Sequence, residues 1–173
     1  IKFKEKIVKY SEIISFLEGE FSSLVSLLEK QIMKKVHLDF NALFEEWFKI
    51  LVENDDLEIS LGYDFSPKIL QNGYDIDYAH LSGGERTAAA LAYRLALNQI
   101  INTILSDINT KDLLILDEPT DGFSAEQVDK LRMILDDLDI KQVIIVSHDP
   151  KIESFVDKVI KFEKINGVSE VVN

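Results

Sequence analysis

Between Phe3 and Leu28 the apolar residues recur on a heptad, with Ile7, Ile14, Phe21 and Leu28 at one position and Phe3, Tyr10, Leu17 and Leu24 at the other. This spacing predicts a long helix carrying either a coiled-coil seam or one amphipathic face laid on a globular core. Gly19 falls inside the run and costs about 1 kcal/mol of helix propensity, too little to stop it. A coiled coil needs a second strand, and no other sustained heptad follows, so a mate for this helix is expected outside the sequence. Past Gln31 the register drifts through Ile32, Val36 and Phe40 into a denser run of Leu43, Phe44, Trp47, Phe48, Ile50 and Leu51. That crowding marks the place where an arm joins a head.

Glu53-Asn54-Asp55-Asp56 is a polar break, and it divides the chain into an arm with its junction, 1–52, and a lobe, 53–173. In the lobe Leu57, Ile59 and Leu61 alternate with polar residues as a strand does. Gly62, Pro67 and Asn72-Gly73 mark turns, and Ile69, Tyr74 and Ile76 lie on further short strands, which together predict a small antiparallel meander. A long helix starts at Ser82, with Ala88, Leu91, Ala92, Leu95 and Ile104 spaced by threes and fours. Leu113-Leu114-Ile115-Leu116 and Val143-Ile144-Ile145-Val146 are continuous apolar runs, the mark of buried strands in a parallel sheet. Between them Ser124 and Gln127 form a capping box for a helix through Leu138. Asp149-Pro150 fits the N-cap and first position of another helix. Val156 to Phe162 and Val168 to Val172 read as a closing hairpin around Asn166-Gly167. The fold class is therefore α/β: a parallel sheet with helices and a small antiparallel meander, preceded by a coiled-coil helix.

The 173 residues, 46% hydrophobic, suffice for one core and an appended arm. No run is long enough to span a bilayer and the start lacks a signal-peptide core, so a soluble, intracellular protein is expected, with no membrane partner. Zero cysteines remove disulfides and thiolate metal sites from consideration. The first residue is Ile1, not methionine, and a fragment or processed chain is expected. A net charge of −12 argues against this chain alone as a DNA platform, since such affinity rests on Lys and Arg displacing counterions. Lys2, Lys4, Lys6 and Lys9, and later Lys34 and Lys35, form local clusters that are either a solvated face or a minor contact.

The chemistry concentrates in LSGGE, Leu81 to Glu85, and in LLILDEPTDG, Leu113 to Gly122. The second string sets Asp117 and Glu118 at the carboxyl end of a strand, where ligands of open α/β sheets bind. Two carboxylates there suit phosphoanhydride hydrolysis, Asp117 holding Mg²⁺ through oxygen or water and Glu118 activating the attacking water. In the first string Ser82 can cap a helix, while Gly83 and Gly84 let backbone amides and the helix dipole approach a phosphate. A bare S-G-G is by itself a common helix-starting turn; LSGGE before a long helix and then a strand ending in LDEPT is far more specific.

This pair of motifs resembles the ABC-type ATPases, in which LSGGE is the signature and LILDE is Walker B. HLSGGERTAAALAYRLALN, His80 to Asn98, is similar to the signature helix of the Rad-fifty ATPases, the coiled-coil subunit of a double-strand-break repair nuclease complex. Pro119-Thr120 after the Walker B glutamate favours that family over the related structural-maintenance-of-chromosomes proteins. The resemblance implies ATP and Mg²⁺ as ligands, with Ser82, Gly83, Gly84 and Glu85 on the nucleotide. It makes His148 the switch histidine at the γ-phosphate, and Asp121 a D-loop contact to an opposing subunit. Arg86 and Arg94 become relays of nucleotide state to the arm. An Asp commonly stands in that family where this chain has Ser124, which removes a carboxylate role there. The aromatic surplus near Trp47 either anchors the helix on the core or docks an Mre-eleven-type nuclease.

No G-x-x-x-x-G-K-[ST] loop occurs in the sequence, although hydrolysis needs one for the β- and γ-phosphates. The resemblance places that loop on an N-terminal lobe beyond a long coiled coil. The expected protein is thus the C-terminal half of an ATPase head, active with that lobe. It dimerises with a second head around ATP, partners a nuclease, and meets double-stranded DNA mainly through the assembled complex. A chromosome-tethering head and a structural module that no longer hydrolyses are the alternatives.

Overall fold

A computed structural model describes residues 2–104, 113–138, 140–165 and 167–172. Helix α1 (Lys2–Phe16) passes through a single π turn (Leu17–Phe21) into α2 (Ser22–Leu51). The π turn departs from the uninterrupted heptad expected across Gly19. Its wider winding brings residues five apart together, and the rings of Phe16 and Phe21 stand 6.5 Å apart. Each residue of a π turn advances less around the axis than an α-helical one, so the apolar stripe after it is offset from the stripe before it. The heptad side chains from Phe3 to Leu28 are all exposed.

Burial starts at Phe40. Phe40, Phe44, Trp47, Phe48 and Leu51 form one face of α2, and it lies against α3 (Gly83–Ile104). The alanines Ala88, Ala89, Ala92 and Ala96 of α3 are buried, and small side chains let the two helices approach closely. Tyr93 fills the space they leave, its ring 4.9 Å from Phe40 and edge-on to Phe44 at 5.5 Å.

The meander is as expected: β1 (Leu57–Leu61), β2 (Pro67–Gln71) and β3 (Tyr74–Ile76) are antiparallel, with Ile59 opposite Ile69 and Ile69 opposite Ile76. Asn72 and Gly73 turn the chain at φ of 50° and 79°, the two left-handed residues of a tight hairpin whose twist matches its strands. Two side chains of α2 grip the preceding turn: Asn41 Oδ1 accepts from Leu61 N at 2.6 Å and His37 Nε2 lies 2.8 Å from the Gly62 carbonyl.

Strands β4 (Leu113–Asp117) and β5 (Gln142–Val146) pair in parallel, Leu113 with Gln142 through Asp117 with Val146. Only one face of this sheet is covered. Leu114 and Leu116 are buried, but Ile115 is 61% and Val146 52% exposed, a correction to the fully buried strands expected. The physical reason is layering: the core lies on one side of the pair, and no described element packs on the other. Helix α4 (Ala125–Asp137) carries the predicted capping box, Ser124 with Gln127. Gln127 Nε2 also donates to the Leu51 carbonyl at 3.2 Å, which ties α4 to the last turn of α2.

After β5 the helix expected at Asp149-Pro150 is replaced by a 3-10 turn, Ile152–Phe155. Asp149 Oδ1 accepts from Lys151 N, and the chain turns extended at Val156 before a helical ladder can form. The closing hairpin is shorter than expected, β6 (Lys161–Ile165) against β7 (Val168–Val172), with Ile165 opposite Val168. Of its predicted turn pair, Asn166 lies outside the described residues.

Candidate functional site

The parallel pair β4–β5 ends where Asp117 gives way to Glu118. Glu118 N donates to the Val146 carbonyl at 2.8 Å, so the ladder runs one step past the strand. Glu118 then adopts φ of +44°, left-handed backbone that a residue with a Cβ enters at a cost of order 1–3 kcal/mol. That bend aims its carboxylate at the neighbouring strand end, where Oε2 lies 2.9 Å from Nδ1 of His148. The hydrogen bond that Glu118 accepts from the ring, and then its charge, raise the His148 pKa above the ordinary value of 6.5. A raised pKa favours the protonated ring, so the contact is fully present below pH 6.5 and fades as the pH climbs through the raised value. An NMR titration of the His148 ring should therefore show a midpoint above 6.5, and Glu118→Gln should move it back down. An unmoved midpoint in the variant would reject this pairing.

The second wall is the start of α3. Ser82 Oγ accepts from Glu85 N at 3.3 Å while Glu85 Oε2 accepts from Ser82 N at 2.9 Å, a reciprocal cap. The bond to Ser82 holds the Glu85 carboxyl below its usual range. The Glu85 side chain is thus engaged with its own helix start, through both the Ser82 amide and the Ser82 side chain. Ser82 is the cap expected from the sequence, and the structure adds Glu85 as its reciprocal partner at the S-x-x-E spacing. Before the cap, Tyr78 Oη donates to the Arg86 carbonyl at 2.7 Å, and Arg86 Nη2 reaches the Leu81 carbonyl at 3.4 Å. Tyr78 had no signal in the sequence, because its partner becomes visible only once the turn is folded.

These two walls touch backbone to backbone. Gly122, at φ of +76°, follows the LILDEPTD segment, and a Cβ placed on Gly84 would lie 2.8 Å from the Gly122 carbonyl oxygen. Glycine at both positions lets the helix start and the strand end share one cleft. The cleft, of about 520 Å³, is lined by Gly83, Arg86, Arg94, Asp117, Glu118, Asp121 and Tyr78 among others. Ser82 stands exposed at its rim, and His148 joins through Glu118. Ser124 is spent on capping α4. Among the described residues no three acidic, His or Cys side chains converge as a cage for a metal.

No family model matches the sequence. The chain is 35% identical to the DNA double-strand break repair Rad50 ATPase of Thermococcus kodakarensis over 153 residues, 84% of this chain and 16% of that protein. The corresponding ATPase of Archaeoglobus fulgidus is 43% identical over 105 residues, 60% of this chain and 11% of that one. The chain therefore spans less than a fifth of the length of these relatives. Among solved structures it is similar to an Smc head domain with a coiled coil and joint from Pyrococcus yayanosii. The TM-score there is 0.64 at 17% identity, covering 98% of this chain and 34% of that one. It is also similar to an SmcHead bound to the C-winged helix domain of ScpA, at TM-score 0.64 and 18% identity, covering 83% and 45%. Those structures establish the α/β head fold with its long helix. No helix among the described residues is long and apolar enough to cross a membrane. With LSGGE and LILDE set in one cleft of that fold, and relatives at these identities, the chain belongs to the Rad50 family of DNA double-strand break repair ATPases and carries the C-terminal part of the head.

Proposed function

We propose that this chain is the half of an ATP-hydrolysing head that supplies the signature, Walker B and switch residues, while an N-terminal lobe supplies the phosphate loop. The observation that carries the proposal is the cleft joining the α3 start to Asp117, Glu118 and His148. Two heads sandwich two ATPs, and the Ser82 hydroxyl with the Gly83 and Gly84 amides caps the γ-phosphate held by the opposite head. Glu118 takes the proton of the attacking water, and His148 hydrogen-bonds the γ-phosphate. Asp117 would hold Mg²⁺, which would supply charge to neutralise the phosphates. Asp121 faces the opposing head, and Arg86 and Arg94 pass nucleotide state along α3 to the α2 arm.

The apolar face of β4–β5, with Leu113 42%, Ile115 61%, Ile144 42% and Val146 52% exposed, is where the N-terminal lobe docks. A parallel sheet takes cover on both faces. The exposed heptad seam pairs with the outgoing strand of the coil, and an Mre-eleven-type nuclease binds near the arm's base. Double-stranded DNA reaches the assembled complex more than this acidic chain.

The test is turnover and ATP-dependent dimerisation of this chain mixed with the N-terminal lobe of the same protein, with and without the nuclease. Turnover that requires both lobes, with nuclease bound through the coil, is the expected result. A chromosome-tethering head is the second reading, favoured by the Smc head structures that share the fold. Turnover without nuclease binding, with capture of a kleisin-type subunit, would decide for it.

A further inference from the structure

A groove of about 560 Å³ runs between the last turns of α2 and β1, and Asn54 in its lining also bonds Glu85. Its floor is apolar: Phe48, Val52, Leu57 and Ile59 are all less than a tenth exposed. Four consecutive residues of β1, Leu57 to Ser60, line it. Side chains of a strand alternate between faces, so a run of neighbours can line one groove only if the groove follows the strand's edge.

Among the described residues β1 pairs with no strand other than β2, which leaves its outer edge without a strand neighbour. Gly62 N bonds Ser66 O and Asn72 N bonds Asp56 O, so the even-numbered residues of β1 face β2 and the odd-numbered ones face outward. The outward amides of Leu57 and Leu61 are taken by the Asn54 carbonyl and by Asn41 Oδ1. Between them, Ile59 presents its N–H and C=O to the groove.

The rim adds charge. Glu45, Asp55 and Glu58 stand against Lys49, and Glu53 is already paired with Lys130. Neither Asp55 nor Glu58 has an ion-pair partner among the described residues. A second copy of this chain, at net −12, would bring like charge to that rim.

We propose that this groove receives a short extended segment of a protein partner, carrying Lys or Arg beside apolar residues and adding as a strand at Ile59. Main-chain bonds to Ile59 hold it, the apolar floor takes one of its side chains, and Asp55 and Glu58 select its charge. The inference does not depend on the nucleotide site.

The test uses a fluorescent, end-capped pentapeptide alternating lysine and valine, titrated onto the ¹⁵N-labelled 173-residue chain at low salt. The expected result is saturable binding with shifts centred on the Ile59 amide. N-methylating alternate peptide residues should weaken binding at least tenfold in one phase and little in the other, since only one phase points its amides at β1. Asp55→Lys with Glu58→Lys should also weaken it at least tenfold without lowering the unfolding temperature. The proposal is overturned if both N-methyl phases bind alike, if Ile59 does not shift, or if the charge-reversed chain binds equally well. It is likewise overturned if Ile59 shifts with chain concentration alone, which would assign the groove to a second copy.

Discussion

Replacing Glu118 by Gln should leave the assembled head able to bind ATP and to dimerise, while turnover falls roughly 10²- to 10⁴-fold, the range of a lost general base. Gln matches Glu in shape, so the left-handed backbone at φ +44° and the approach to His148 are kept. What disappears is the charge proposed to accept a proton from water. Binding should survive because, in the proposed head, it rests on the phosphate loop of the other lobe and on Ser82, Gly83 and Gly84. Single-turnover ATPase rates alongside a nucleotide-binding isotherm separate the two effects. Unchanged turnover would move the base elsewhere in the cleft, to Asp121 or to a residue of the N-terminal lobe.

How much of this was legible beforehand depends on how far each signal reaches along the chain. The caps at Ser124 and the turn at Asn72-Gly73 are local, with partners within three residues, and both fold as the residues announce. The strand ending in Asp117-Glu118 is legible because a continuous apolar run demands burial, and its direction puts the acids at one end. The same run asks for cover on both faces, and the described residues cover one. Its sequence thus records a demand that the described residues alone do not meet. The π turn at Leu17–Phe21 escapes a heptad reading, since the spacing 3, 7, 10, 14, 17, 21, 24, 28 is unchanged while the winding beneath it widens. The lost helix after Asp149-Pro150 shows the limit of a cap signal: N-cap and proline open a helix only if the next residues stay helical, and Val156 is extended. Tyr78, the Glu118 bend and the Gly84–Gly122 contact all need the tertiary fold before their partners are near.

Ser82→Arg is expected to abolish ATP-dependent dimerisation of the reconstituted head while leaving each head folded and able to bind ATP. Ser82 stands exposed at the start of α3, on the surface proposed to meet the γ-phosphate of the opposite head. An arginine there would project a long, charged side chain into the proposed gap between heads, so the second head should fail to close. The fold should tolerate it: the variant loses the Ser82 Oγ bond to Glu85 N, a cap worth about 1 kcal/mol. Ser82→Ala separates the causes, because it loses the same cap and the same hydroxyl without adding bulk. It should weaken the dimer rather than remove it, and its unfolding midpoint should match that of Ser82→Arg. Light scattering with ATP, on heads that also carry Glu118→Gln so that the nucleotide persists, reads the outcome. If the Ser82→Arg heads still dimerise, the signature turn is not the clamp. The start of α3 would then serve its own lobe, through the contact of Gly84 with Gly122.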